Sequence, residues 1–248
     1  MIKFEDTEVW GFGHAIRGMR NPLESWDKSD TFTCDDARFQ GSEYFIGDND
    51  INLMQRLIKA GSDHRKFMRQ IMVSVDITAP LYWWKEFDTY KVGTVANSCS
   101  TMHCIHKKEF MLEDFSTEHL TDQSKELLED TIKYLNLIRA FYVSKTDTQV
   151  DRYTYMSDEC HKKYKKDLWW QMIQLLPSSY NQKRTVTLNY EVLRNIYFAR
   201  RNHKLDEWSE NIMVIEGQEY SQLNAYEGFC DWIKTLPYAE ELIMLEDK

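Results

Sequence analysis

Val73–His106 reads VSVDITAPLYWWKEFDTYKVGTVANSCSTMHCIH, and its three parts decide the fold. Val73, Val75 and Ile77 alternate with Ser74, Asp76 and Thr78, the period-two pattern of a strand with one buried face. Pro80 carries no backbone N–H, so it ends the ladder. A proline also suits the first turn of a helix, and Leu81, Trp84 and Phe87 recur at helical spacing through Leu81–Tyr90. After Gly93, TVANSCSTMH reads as a loop crowded with small hydroxyl and amide side chains. Strand, proline-started helix and polar loop together present a binding loop from a rigid scaffold.

Upstream, Glu8–Ile16 reads as a strand running into a glycine turn at Gly11 and Gly13, and Asn21-Pro22 marks another turn. Asp50–Ala60 reads as a helix with Asp50 as its N-cap and Gly61 as its stop. Downstream, Thr117–Ser144 is a long amphipathic pattern whose apolar side holds Leu120, Leu127, Leu128, Ile132, Leu135, Ile138 and Phe141. Thr146–Asp151 is a polar break before a second helix, Asp158–Leu176, closed by Pro177. Its His161-Lys162-Lys163 and Lys165-Lys166 groups read as a solvated face. Thr185–Leu188 is β-branched and short, and Asn189 is placed to cap a helix that packs Val192, Leu193 and Ile196. Arg200 follows one turn after Ile196, and Leu223–Thr235 is a further helix near the C-terminus.

At 248 residues the chain is long enough for a proper core, and it is read as a single domain spanning residues 1–248. Forty acidic side chains against 31 Lys and Arg leave a net charge of −9, which argues against a general nucleic-acid surface. A small anionic ligand needs only a few local donors and is not excluded. No run approaches roughly 18 apolar residues, so no membrane span is expected. The acidic start MIKFEDTEVW is unlike a signal peptide, and a cytoplasmic protein with reduced thiols is the expectation. Cys99, His103, Cys104 and His106 lack zinc-finger spacing, so no metal site is expected.

Two stretches resemble the flavin-dependent thymidylate synthases. Ile77–Leu81 (ITAPL) stands where that family has its strand-to-helix step, and Thr89-Tyr90-Lys91 stands where it has Arg-His-Arg. In the loop, Thr94 stands for a serine and Asn97 and Ser100 match with one extra residue before Asn97, while Ser98 and Met102 replace a Glu and an Arg. Gln70 occupies the position of a family histidine ahead of the strand, with His64 six residues earlier. In the second stretch Leu176-Pro177, Asn189, Leu193, Asn195 and Arg200 match the family spacing without a gap.

The resemblance implies an α/β (α+β) fold, a central mostly antiparallel sheet flanked by long helices, assembled as a homotetramer. It implies reductive methylation of dUMP to dTMP, using FAD, NADPH and methylenetetrahydrofolate. Arg200 would orient and polarise the uracil, Thr94, Asn97 and Ser100 would lie by the nucleotide phosphate, and Lys91, Asn189, Asn195 and His203 would hold the flavin. The departures from the motif keep two alternatives open: a divergent member acting on another pyrimidine nucleotide, or a non-catalytic nucleotide- or partner-binding module.

Overall fold

The computed structural model describes residues 2–34, 43–144, 158–209 and 228–246. In chain order the elements are β1 (Lys3–Trp10), α1 (Phe12–Arg20), β2 (Phe32–Cys34), β3 (Glu43–Phe45), α2 (Asp48–Lys59), β4 (Met72–Pro80), α3 (Leu81–Phe87), β5 (Val95–Ser98), α4 (Thr101–Cys104), α5 (Asp122–Val143), α6 (Asp158–Leu175), β6 (Asn181–Asn189), α7 (Tyr190–Arg200) and α8 (Phe229–Lys234). Four strands form an antiparallel sheet in the order β1-β4-β6-β5, and β2 pairs with β3 in a separate antiparallel ribbon. The expected class, mixed helix and sheet with an antiparallel sheet, is the one observed.

Alternation builds β4. Val73, Val75 and Ile77 are fully buried, while Ser74 and Asp76 are half-buried on the other face. There Thr185 Oγ1 donates to Asp76 Oδ1 at 2.6 Å and Thr187 Oγ1 to Ser74 Oγ at 3.4 Å, the reversed order of antiparallel neighbours. The described chain divides into two units: one lies within Thr78–Glu86 and Ser98–Arg184, the other within Ile2–Ile77, Phe87–Asn97 and Thr185–Lys248.

The first unit is built on α5 and α6. Leu128, Ile132, Leu135 and Ile138 of α5 join Leu168 and Met172 of α6 in one apolar cluster. Leu127 and Phe141, expected on the same side, are instead exposed, because only the stripe facing the cluster is covered. The helix begins five residues later than the sequence pattern, where Thr121 Oγ1 caps it by accepting from Ser124 N at 3.3 Å. Lys165 is no solvated lysine: its Nζ donates to the carbonyls of Phe141, Tyr142 and Ser144 at 2.7–2.8 Å, where α5 ends. The expected break at Thr146–Asp151 lies outside the described residues. TVANSCSTMH, read as plain loop, contains all of β5 and most of α4; Cys99 N donates to Lys183 O at 2.9 Å, a pairing that local composition does not signal.

In the second unit the strand expected over Glu8–Ile16 is two elements. β1 stops at Trp10, Gly11 turns at φ 98°, and α1 follows. A Cβ at Gly11 would lie 2.0 Å from Gln70 O, so backbone approach as well as φ demands glycine. The α2 cap also differs from expectation. Gly47 occupies the N-cap, and the Asp30 carboxylate accepts from Asn49 N at 2.9 Å and Asp50 N at 3.1 Å. Asp50 is buried in the first turn instead of capping it: Oδ1 accepts from Arg20 Nε at 2.7 Å and Oδ2 from Ser29 Oγ and Thr31 Oγ1 at 2.7 and 2.8 Å. Gly61 follows the helix end at φ 105°, as its position in sequence implies. Of the expected helix Leu223–Thr235, α8 is described and residues 223–227 lie outside the described residues. Among the described residues no helix is long and apolar enough to cross a membrane.

Candidate functional site

Asn189 starts α7 by accepting from Val192 N through Oδ1 at 3.1 Å. The next residue, Tyr190, is fully buried; burial pushes its phenol far up, so it stays a donor, to Pro237 O at 2.7 Å. Glu191 is a buried carboxylate that pairs with Arg69 and, at 3.5 Å, with Arg65 Nε. Both arginines belong to the 3-10 turn Arg65–Gln70 ahead of β4, so α7 and that turn are locked together.

At the far end of α7, Arg200 Nε donates to Tyr90 Oη at 2.8 Å. Its guanidinium carbon lies 5.0 Å from the Trp208 ring centroid and 5.6 Å from that of Tyr90. Trp208 is fully buried, meets Tyr90 edge-on at 6.1 Å and stacks on Phe87 at 6.3 Å. The Arg200 fork is thus held by two rings and one phenol before any ligand arrives. His203 joins the group 6.5 Å from Trp208, with Nδ1 accepting from Leu205 N at 3.2 Å. In the neutral ring that bond leaves the proton on Nε2.

The chain between Tyr90 and Gly93 runs beside α7. Gly93 adopts φ 77°, and a Cβ there would stand 3.1 Å from both Asn189 Nδ2 and Val192 Cγ2. Lys91 is exposed on this segment, and its carbonyl accepts from Thr94 N at 3.3 Å. Thr94 Oγ1 is buried without a hydrogen-bond partner among the described residues. The Tyr90–Gly93 segment therefore touches α7 near both ends, at Arg200 through Tyr90 and at Asn189 through Gly93. Asn195 is exposed on α7 and Asn97 is exposed on β5. Ser100 belongs to the first unit, where Oγ caps α4 by accepting from His103 N at 3.2 Å.

The second unit also holds a cavity of about 930 Å³ between α1, α2 and the Arg65–Gln70 turn. Lys28, Arg56, Lys66 and His64 line it against the single carboxylate of Asp63. Gln70 and His64, the two positions weighed for the family histidine, both face it. Arg20 forms part of the wall, with its fork committed to Asp50, Ser25 O and Lys28 O at 2.7–3.1 Å. Sequence reasoning missed Lys28, Arg56 and Lys66, because they come from three elements and form no run. It also missed Tyr90 and Trp208, whose role appears only once Arg200 is placed. An excess of positive charge in a concavity, within a chain of net charge −9, suits a ligand that carries phosphates.

The architecture is that of the ThyX thymidylate synthases. No protein-family model matches the sequence, and no curated protein matches it. A solved structure of Thymidylate Synthase X from Helicobacter pylori with FAD and dUMP superposes with a TM-score of 0.58 at 11% identity, covering 98% of this chain and 97% of that one. A second structure of the Helicobacter pylori flavin-dependent enzyme, also complexed with FAD and dUMP, gives 0.56 at 13% identity over 98% and 99%. At these identities the likeness is one of fold.

Proposed function

We infer that the protein binds FAD and a pyrimidine nucleotide and carries out the thymidylate synthase reaction, reductive methylation of dUMP to dTMP, with NADPH and methylenetetrahydrofolate as co-substrates. The observation that carries this reading is the Tyr90–Arg200 contact. It joins the two stretches of the resemblance, 110 positions apart in sequence, in one pre-set arginine site. The shared fold over nearly the whole of both chains supports it.

On this reading Arg200 addresses the uracil carbonyls, since the Tyr90 contact at Nε sets the direction of its planar guanidinium. Thr94, whose buried hydroxyl has no hydrogen-bond partner among the described residues, and Asn97 serve the nucleotide phosphate. Lys28, Arg56 and Lys66 neutralise the FAD diphosphate, while Lys91, the Asn189 Nδ2 group, Asn195 and His203 attend the flavin. Bound FAD supplies the hydride chemistry; the chain supplies orientation and charge. Assembly as a homotetramer belongs to the same reading, and the exposed Leu127, Leu137 and Phe141 of α5 give it apolar surface.

One observation favours a second reading. Lys91 is exposed and is the one cation in the Thr89-Tyr90-Lys91 segment, where the resembled family has two arginines. A pocket with fewer charged hydrogen bonds suits another pyrimidine nucleotide, or binding without turnover. Calorimetric titration of the FAD-incubated protein with dUMP tests the first reading. Micromolar binding that weakens about tenfold or more in Arg200→Lys is expected. No dUMP binding at millimolar concentration, alongside binding of a different pyrimidine nucleotide, would replace the first reading with the second.

A further inference from the structure

The first unit carries a hollow of about 490 Å³ that the proposed reaction does not use. It lies where α4 and its following turn meet α5 and α6, lined by Met102, His103, His106, Tyr142, Lys166 and Trp169, with Lys165 beside them. Among the described residues no carboxylate lines it. In a chain of net charge −9, a concavity whose ionisable walls are two imidazoles and two lysines selects an anion.

Its walls are fixed in advance. Trp169 Nε1 donates to Met102 O at 3.0 Å, and Lys165 is tied to the three carbonyls at the end of α5. The His106 carbonyl accepts from Arg139 Nε at 3.0 Å, and its ring rests 5.0 Å from that of Tyr142. His106 Nδ1 is buried with no hydrogen-bond partner among the described residues, and the half-buried residue forms part of the wall. Lys166 and the His103 ring are exposed at the rim, and Lys166 has no ion-pair partner among the described residues. Two aromatic rings and a thioether supply a flat apolar surface beside these nitrogens.

We propose that this hollow is a second ligand site, taking a small planar aromatic anion. The ring lies against Trp169, Tyr142 and Met102, and the phosphate or carboxylate meets His103, His106 and Lys166. Neither half suffices: a bare anion forfeits the ring contacts, and a neutral ring leaves the charged rim unused. The site stands on the first unit's residues and does not depend on the flavin reading.

The test uses the full chain and three probes: phenyl phosphate, inorganic phosphate and benzyl alcohol, each titrated by calorimetry. Phenyl phosphate is expected to bind saturably and about tenfold more tightly than either fragment. The double variant H103Q/K166Q, both positions exposed and so compatible with folding, is expected to lose that preference, while Arg200→Lys keeps it. Absence of saturable binding up to about 10 mM overturns the proposal. So does an affinity unchanged in H103Q/K166Q, or one lost in Arg200→Lys, which would place the probe in the nucleotide site instead.

Discussion

Tyr90 and Arg200 illustrate what a single contact contributes. The phenol sets Arg200 through Nε, so Tyr90→Phe keeps the ring and its packing on Trp208 while releasing the fork. The expected outcome is a severalfold rise in the dUMP dissociation constant with thermal stability nearly unchanged, read by calorimetry and a melting curve. Asp50 acts on stability instead. Burial alone would raise its carboxyl, but hydrogen bonds from Ser29, Thr31 and Arg20, with the Arg20 charge, hold it below the usual value. A group depressed in the folded state stabilises fully above its unfolded value, near 3.9, and loses that contribution as pH falls through the folded value. Asp50→Asn, which leaves Arg20 buried and unpaired, is expected to cost about 3–5 kcal/mol at pH 7. The gap to the parent protein should shrink below about pH 4 in urea unfolding. Arg200 stood out in sequence only through its match to the spacing of the resembled family. Asp50 was misread as a cap because its partner Arg20 lies 30 positions earlier, and local sequence carries no trace of that pairing.

At the scale of elements, the sequence was most readable where packing and periodicity agree. β4 and α7 follow their patterns because Val73, Val75, Ile77, Leu193 and Ile196 are all fully buried. α1 was hidden by its glycines, and β5 by a composition of Ser, Asn and Thr that favours turns. Those elements exist because other parts of the chain hold them. Two substitutions test this view. Asn189→Ala removes the α7 cap and should cost about 1 kcal/mol, measured as a shifted denaturant midpoint. Gly11→Ala meets both a strained φ and the Gln70 carbonyl, so it should destabilise more than Asn189→Ala; equal effects would mean that the turn relaxes.

At the scale of the whole molecule, an acidic chain gathers some of its basic side chains around two concavities, one in each unit. Neither was legible in sequence, since Lys28, Arg56 and Lys66 converge only through folding. The double variant R56Q/K66Q should weaken FAD binding about tenfold and make it less sensitive to salt, as removal of two diphosphate-facing cations requires. The fold, in contrast, was legible from two short stretches, because their strand-to-helix geometry shows directly in the residue pattern. The central claim is that this fold still holds a flavin. The visible absorption spectrum of purified protein, recorded before and after incubation with FAD and desalting, tests it most directly. Retention of the oxidised-flavin bands through desalting is the expected result; a colourless protein that has released all added FAD would contradict it.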